Sequence, residues 1–141
     1  MKKILIIEAR FYGEIANDLF DAAKAVLDKS DISYEKIQVP GVFEIPACLA
    51  MAVKSKKYDG FITLGCVIRG ETTHYDYVCG ESARGINNIA IKKRIALGYG
   101  IITVENQEQA DVRADKNQKD VGGKAARACL EMIRIRGELN S

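Results

Sequence analysis

The chain has 141 residues, with 21 Lys and Arg against 19 Asp and Glu, and a formal net charge of +2. A chain of this length fits a single domain, residues 1–141, which can bury a hydrophobic core without disulfides or metals. The charges are scattered rather than collected into a basic stripe, so we do not expect nucleic acid as a partner.

Cysteine and histidine usage argues against a metal centre. The four cysteines are Cys48, Cys66, Cys79 and Cys129. They show no Cys-x-x-Cys spacing, and the single histidine, His74, leaves no second imidazole for a mixed zinc site. We therefore expect reduced structural thiols and no metal.

The N-terminal apolar stretch, residues 4–7, is short and ends at Glu8. It is too short for a spanning helix and lacks the pattern of a signal peptide. We therefore expect a cytoplasmic protein that makes no use of a membrane.

Short β-branched runs alternate with longer segments of helical periodicity along the whole chain. The predicted strands are residues 3–7, an edge strand at 33–39 that ends at Pro40-Gly41, 60–67, and 100–104 beginning beside Tyr99. The predicted helices are one carrying Ile15, Leu19, Ala23 and Val26 or Leu27, then 44–53 with Pro46 in its first turn, 75–95, 107–114 and 123–136.

Such alternation indicates parallel strands joined by right-handed crossovers. The predicted fold class is α/β, a three-layer α/β/α sandwich with a four-stranded parallel sheet in the flavodoxin-like order 2-1-3-4. The third crossover helix mixes apolar residues with Asn and Gly around its circumference, too broadly for one core-facing stripe. Exposed apolar surface of this kind indicates a subunit interface, so we expect an oligomer.

His74 follows the third predicted strand, where open α/β sheets place their sites. Histidine exchanges protons near neutral pH. The hydroxyls of Thr72 and Thr73, together with the free N–H groups of a starting helix, favour an anion there. The pattern predicts a proton shuttle beside a phosphate site. The alternative is a Thr-capped helix with a hydrogen-bonded histidine.

The other loops at this edge carry further candidates. Phe11 and Tyr12 follow the first strand and are suited to stacking, although a hydrophobic staple on the next helix would explain them equally well. Glu44 begins a helix, where its carboxylate can accept from ligand hydroxyls or merely stabilise the helix dipole. Arg113 has the fork geometry that matches phosphate, but an arginine on a short helix commonly faces water.

Four segments together carry a resemblance to a known family. They are Ala9-Arg10-Phe11, Val39-Pro40-Gly41-Val42-Phe43-Glu44-Ile45-Pro46, Gly65-Cys66-Val67-Ile68-Arg69-Gly70-Glu71-Thr72-Thr73-His74-Tyr75-Asp76-Tyr77-Val78-Cys79, and Glu108-Gln109-Ala110 with Arg113. The chain closely resembles the 6,7-dimethyl-8-ribityllumazine synthases. This family condenses 5-amino-6-(D-ribitylamino)uracil with 3,4-dihydroxy-2-butanone 4-phosphate in riboflavin synthesis. The resemblance implies an enzyme with two small-molecule substrates and without metal or organic cofactor.

The resemblance also implies roles for individual residues. His74 would be the acid-base residue. The residues expected to bind the ribitylaminouracil are Phe11, Val42, Phe43, Glu44, Cys66, Val67, Ile68 and Tyr99. Glu71, Thr72 and Arg113 would hold the butanone phosphate. In this family the counterparts of Tyr99 and Arg113 come from a neighbouring subunit.

Three positions depart from the family pattern. Val42 stands where Ala or Ser is commoner, and Tyr99 where Phe is commoner. Val121 occupies the place of a lysine that often lies near the substrate, and Lys119 or Lys124 is available to replace it.

The rival hypotheses are a non-catalytic flavin- or phosphate-binding module and a shell-forming protein on the same fold. A flavin- or phosphate-binding module would need a Ser/Thr/Gly-rich loop after the first strand, which this sequence lacks. A shell-forming protein would have no need of His74 and Arg113 together.

The family forms pentamers, and some members close twelve pentamers into a shell. The first core strand begins at Lys3, which leaves almost nothing to add to a neighbour's sheet, and segment 114–120 lacks a glycine-containing turn. We therefore expect a free homopentamer. The resemblance also suggests association with riboflavin synthase.

Overall fold

A four-stranded parallel sheet organises residues 1–140, the part of the chain that the computed structural model describes. The strands are β1 (Lys2–Ala9), β2 (Ile32–Val39), β3 (Gly60–Ile68) and β4 (Leu97–Val104). The helices are α1 (Gly13–Leu27), α2 (Ile45–Ser55), α3 (His74–Lys93), α4 (Gln107–Ala114) and α5 (Val121–Asn140), and a single 3₁₀ turn, Val42–Glu44, precedes α2.

The strand order is β2-β1-β3-β4, which confirms the predicted order. β1 pairs with β2 in a register that sets Glu8 opposite Gln38, and with β3 so that Ile6 faces Ile62. β3 pairs with β4 with Cys66 opposite Ile102. The carboxyl ends of β1 and β3 therefore lie side by side, and the chain segments that follow them are neighbours.

Alternate residues of β1 enter two separate cores. Ile4 and Ile6 pack in the core that contains residues of α1 and α5, whereas Leu5 and Ile7 pack in the core under α2 and α3. These four side chains are at most 4% exposed, as expected for a sheet covered on both faces. The three-layer α/β/α prediction is confirmed.

All four strands are longer than predicted, β2 and β3 by one residue each and β1 and β4 by three. β1 continues through Glu8, because this carboxylate is buried against two cations and does not interrupt the pairing. β4 begins at Leu97, three residues earlier than predicted, and so includes Tyr99. Gly98 is part of the strand rather than a turn: a Cβ there would lie 1.9 Å from the carbonyl oxygen of Ala125 in α5. The glycine allows close approach of this helix to the sheet.

The helix boundaries also differ from prediction in places. α3 begins at His74 and ends at Lys93, two residues early, because Arg94 adopts the left-handed conformation with φ 54°. α5 extends at both ends. Gly122, in its first turn, lies against the carbonyl of Leu19, and Arg134 near its end pairs with two glutamates of the same helix. Within residues 1–140, no helix has both the length and the apolar character that crossing a bilayer requires.

Candidate functional site

A cavity of about 420 Å³ opens at the carboxyl edge of the sheet. Nine of the twelve predicted site residues line it. The lining residues are Phe11, Tyr12, Gly41, Val42, Phe43, Glu44, Cys66, Val67, Ile68, Gly70, Thr72, His74, Tyr75 and Val78. The segments after β1, β2 and β3 therefore meet at one site, as the topology of an open α/β sheet requires.

Two exposed aromatic rings stand at the mouth of this cavity. Phe11 is 71% exposed and Phe43 is 53% exposed. The ring of Phe11 contacts that of Tyr12, with centroids 5.0 Å apart. A hydrophobic staple would bury Phe11 against α1, so the exposure contradicts that alternative for Phe11, whereas Tyr12 is partly buried against the core that contains residues of α1. Exposed rings beside a cavity are suited to stacking on a planar ligand.

The 3₁₀ turn before α2 forms one wall. Its first residue, Val42, is buried, and Phe43 and Glu44 are exposed beside the opening. Val42 reaches over Gly65 of β3, where an added Cβ would lie 2.7 Å from Val42 Cγ2. Gly65 thus makes room for a side chain larger than the Ala or Ser usual in the family. The carboxylate of Glu44 accepts no hydrogen bond from residues 1–140, which leaves both oxygens available to hydroxyl groups.

The end of β3 supplies the floor. Cys66 is 7% exposed, and Val67 and Ile68 are half-buried. Burial, with a smaller contribution from Asp111, raises the pKa of the Cys66 thiol to about 12. The thiol is therefore neutral near pH 7 and provides apolar surface rather than a nucleophile.

His74 begins α3 with its side chain exposed and directed to the cavity. Its backbone N–H donates to Thr72 Oγ1 at 3.2 Å, so Thr72 does help to close the turn. The imidazole itself has no hydrogen bond to any group of residues 1–140. The alternative of a hydrogen-bonded structural histidine is therefore wrong, and both ring nitrogens are free for a ligand.

The turn that carries Thr72 is held by Arg69. The Arg69 guanidinium donates to the Glu105 carboxylate at 2.6 Å and lies 3.4 Å from that of Asp76. It also covers the ring of Tyr75, 4.4 Å from the centroid. Arg69 thus joins the end of β4 to the first turn of α3 across residues 70–73.

Three predicted site residues do not line the cavity. Glu71 is exposed on the loop beside it. Tyr99 lies in the first half of β4, in a separate groove beside α3. Arg113 is half-buried on α4, where it donates to the carbonyl of Gln109. Within one chain, the structure does not bring these residues to the site.

The two candidate replacements for the missing lysine are also away from the lining. Lys119 and Lys124 are exposed on either side of the start of α5, and Val121 is the first residue of that helix. Within residues 1–140, neither Lys nor Arg lines the cavity. A single chain thus offers an anion the N-terminus of α3 but no cationic side chain.

Five lining residues are not among the predicted site residues: Tyr12, Gly41, Gly70, Tyr75 and Val78. Tyr75 and Val78 follow His74 by one and four residues, so helical spacing places Val78 on the same face as His74. That spacing was an available signal. Tyr12, which the sequence indicates as suited to stacking together with Phe11, lines the cavity beside that ring.

The chain is similar to proteins of one named family over almost its whole length. A family model described as 6,7-dimethyl-8-ribityllumazine synthase matches residues 1–136. A protein of this name from Paramagnetospirillum magneticum is 46% identical over 99% of this chain and 97% of its own length. One from Novosphingobium aromaticivorans is 50% identical over 96% of this chain and 97% of its own length. The 6,7-dimethyl-8-ribityllumazine synthase 1 of Rhizobium meliloti is 49% identical, covering 98% and 94%. The chain belongs to the 6,7-dimethyl-8-ribityllumazine synthase family.

Proposed function

We propose that the chain catalyses the reaction that gives this family its name. It condenses 5-amino-6-(D-ribitylamino)uracil with 3,4-dihydroxy-2-butanone 4-phosphate, and the products are 6,7-dimethyl-8-ribityllumazine, phosphate and water. The observation that carries the proposal is the convergence of an exposed aromatic ring, a free carboxylate and a free imidazole, from Phe11, Glu44 and His74, on one cavity.

Each of these groups matches one part of the substrates. The Phe11 ring stacks on the pyrimidinedione, and the Glu44 carboxylate accepts hydrogen bonds from the ribityl hydroxyls. Phe43 and the side chains of Val67 and Ile68 enclose the ring system. Thr72, on the turn before α3, and Glu71 beside it hold the phosphate-bearing substrate, where the helix N-terminus favours an anion.

The reaction requires proton transfers but no redox step. The amine adds to the ketone, water leaves to give an imine, phosphate is eliminated, and the ring closes with loss of a second water. His74 relays protons among nitrogen, carbon and oxygen, which contributes about 10²- to 10⁴-fold. The greater contribution is orientation of two substrates in one cavity. We propose that neither metal nor cofactor participates.

The missing cation points to a second subunit. Because neither Lys nor Arg lines the cavity within residues 1–140, we infer that Arg113 of a neighbouring copy supplies the counter-charge for phosphate. Tyr99 of that copy contacts the ring. The exposed apolar residues of α3, Tyr77 at 68% and Ile91 at 69%, support a contact between copies on this helix.

We propose a free homopentamer for the assembly, with each site built between two subunits. Light scattering should then give roughly five times the 15.5 kDa subunit mass. A megadalton particle at micromolar concentration would contradict the free pentamer. A cytoplasmic location and an association with riboflavin synthase belong to the same proposal, and co-purification with that enzyme would test the association.

The direct test of the reaction is turnover by the purified chain. With both substrates present, the lumazine chromophore and inorganic phosphate should appear in equal amounts. Either substrate alone is the control and should give neither product. A protein that binds the lumazine but forms none from the two substrates would support the non-catalytic alternative.

A further inference from the structure

Glu8 is a buried carboxylate that the proposed reaction does not use. Its side chain is 2% exposed, at the carboxyl end of β1. Both of its oxygens accept from Arg10 Nη1 at 3.2 Å, and Oε1 lies 3.4 Å from Lys36 Nζ. A carboxylate inside a protein is costly unless it is paired, and Arg10 and Lys36 both provide such pairing for Glu8.

Arg10 contacts more than Glu8. Its second terminal nitrogen, Nη2, donates to Asn17 Oδ1 in α1. The guanidinium therefore connects the end of β1 to the second turn of α1, and the segment it spans contains Phe11 and Tyr12. Arginine suits this task because its planar fork makes two directed contacts at once.

The ring of Phe11 has few other contacts to hold it. It is 71% exposed, its ring partner is Tyr12, and Gly13 follows with open space around its Cα. An exposed ring on a short loop samples several orientations unless the backbone beside it is fixed. The bridge through Arg10 provides that restraint.

We propose that Glu8 and Arg10 are positioning residues, which fix the Phe11 ring for stacking through a Glu8–Arg10–Asn17 bridge. A ring that is already oriented binds a planar substrate without the entropic cost of ordering. The proposal rests on the proposed function for the identity of that substrate. The restraint on the Phe11 ring does not depend on which substrate binds.

The chain contains no tryptophan, so Phe11→Trp introduces a single indole at this position, whose emission can be excited apart from that of the tyrosines. Time-resolved anisotropy of the new indole reports the local motion of the loop without any enzymatic activity. Arg10→Ala in this background should increase the amplitude of the fast depolarisation. Lys36→Met is the matched control, because it removes the other cation of Glu8, leaves the bridge to α1 intact and keeps an unbranched side chain beside the Phe20 ring, over which the Lys36 ammonium lies.

Kinetics on the chain with Phe11 retained give the second readout. Arg10→Ala should raise the KM for the ribitylaminouracil about tenfold, and leave the KM for the butanone phosphate within about twofold. Glu8→Gln should act in the same direction. Asn17→Ala breaks only the helical end of the bridge at an exposed residue, so it serves if Arg10→Ala fails to fold.

Unchanged anisotropy in both Arg10→Ala and Asn17→Ala would overturn the proposal. So would an equal rise in the uracil KM for Lys36→Met, because that would indicate general destabilisation around a buried charge. If the unmodified chain formed no lumazine, the proposed function would fall, and the anisotropy comparison would still decide the positioning role.

Discussion

Arg69 donates from Nε to the Glu105 carboxylate at 2.6 Å, which ties the residue after β3 to the residue after β4. The backbone N–H of Arg69 donates to the carbonyl of Val104 as well. Because the same guanidinium covers Tyr75, the turn that leads to His74 is fastened at both ends. The imidazole has no hydrogen bond of its own, so its position depends on this turn.

Arg69→Ala should therefore affect turnover more than stability. Its ion pairs are exposed, and exposed pairs contribute little to the free energy of unfolding. We expect kcat to decrease about tenfold because His74 and Thr72 are less well placed. Arg134→Ala, which removes comparable exposed ion pairs on α5, is the control and should leave kcat unchanged. A large loss of thermal stability in Arg69→Ala with unchanged kcat would contradict this role.

Gly65→Ala should damage the site by overpacking. The new methyl group would lie 2.7 Å from Val42 Cγ2, and a branched side chain cannot easily move away. We expect a loss of about 1–3 kcal/mol in unfolding free energy and a higher KM for the ribitylaminouracil. Adding Val42→Ala should restore both quantities. Failure of this second substitution to rescue the first would show that Gly65 is needed for another reason.

The Cys66 thiol should take no part in the reaction. Burial raises its pKa to about 12 from an ordinary value of 9.0, so it is neutral through the range in which the enzyme works. Cys66→Ala should retain activity within about tenfold, with an unchanged pH profile of kcat. An alkaline limb of that profile that disappeared in Cys66→Ala would contradict the prediction.

The buried thiols of Cys66 and Cys129 predict how the free energy of unfolding depends on pH. In the unfolded chain Cys66 and Cys129 ionise near their ordinary pKa of 9.0, whereas burial raises the folded pKa of each to about 12. The unfolded state therefore loses protons first, and the free energy of unfolding should decrease as pH rises above 9. Urea denaturation from pH 7 to 11 measures this, and Cys129→Ala should flatten part of the decrease. A constant difference between the two proteins across this range would contradict it.

Arg113 should act on one substrate, and across the subunit interface. Truncation to Ala removes a charge-assisted contact worth about 1.5–3 kcal/mol, so the KM for the butanone phosphate should rise at least tenfold and the uracil KM little. Mixing Arg113→Ala with His74→Ala subunits should restore activity, because some sites then receive both intact residues. Mixed assemblies no more active than the separate variants would argue against shared sites.

Much of this fold was predictable because apolar periodicity reports burial directly. The runs of β1 and β3 indicated strands covered on both faces, and parallel topology then placed Phe11 and His74 at one edge. The exact ends of the strands and helices were harder to predict from the sequence. Gly98 and Gly122 resemble turn signals, but both permit backbone contacts with residues distant in sequence, Ala125 and Leu19.

The site was predicted in part for the same reason. Cavity residues that directly follow a strand could be predicted, because the carboxyl ends of parallel strands lie at one edge of the sheet. The roles of Glu8 and Arg10 depend on Lys36 of β2 and Asn17 of α1, contacts that no local pattern contains. Tyr99 and Arg113 lie outside the cavity of a single chain. The guanidinium of Arg113 suits phosphate, but only the family resemblance assigned both residues to the same site.

The central claim is that His74 transfers protons in lumazine formation within this cavity. The measurement is kcat for the unmodified chain and for His74→Ala and His74→Asn, followed by the lumazine chromophore with both substrates saturating. We predict that both substitutions slow turnover by about one to three orders of magnitude, with the fold and assembly retained. Turnover unchanged in both variants would contradict the claim.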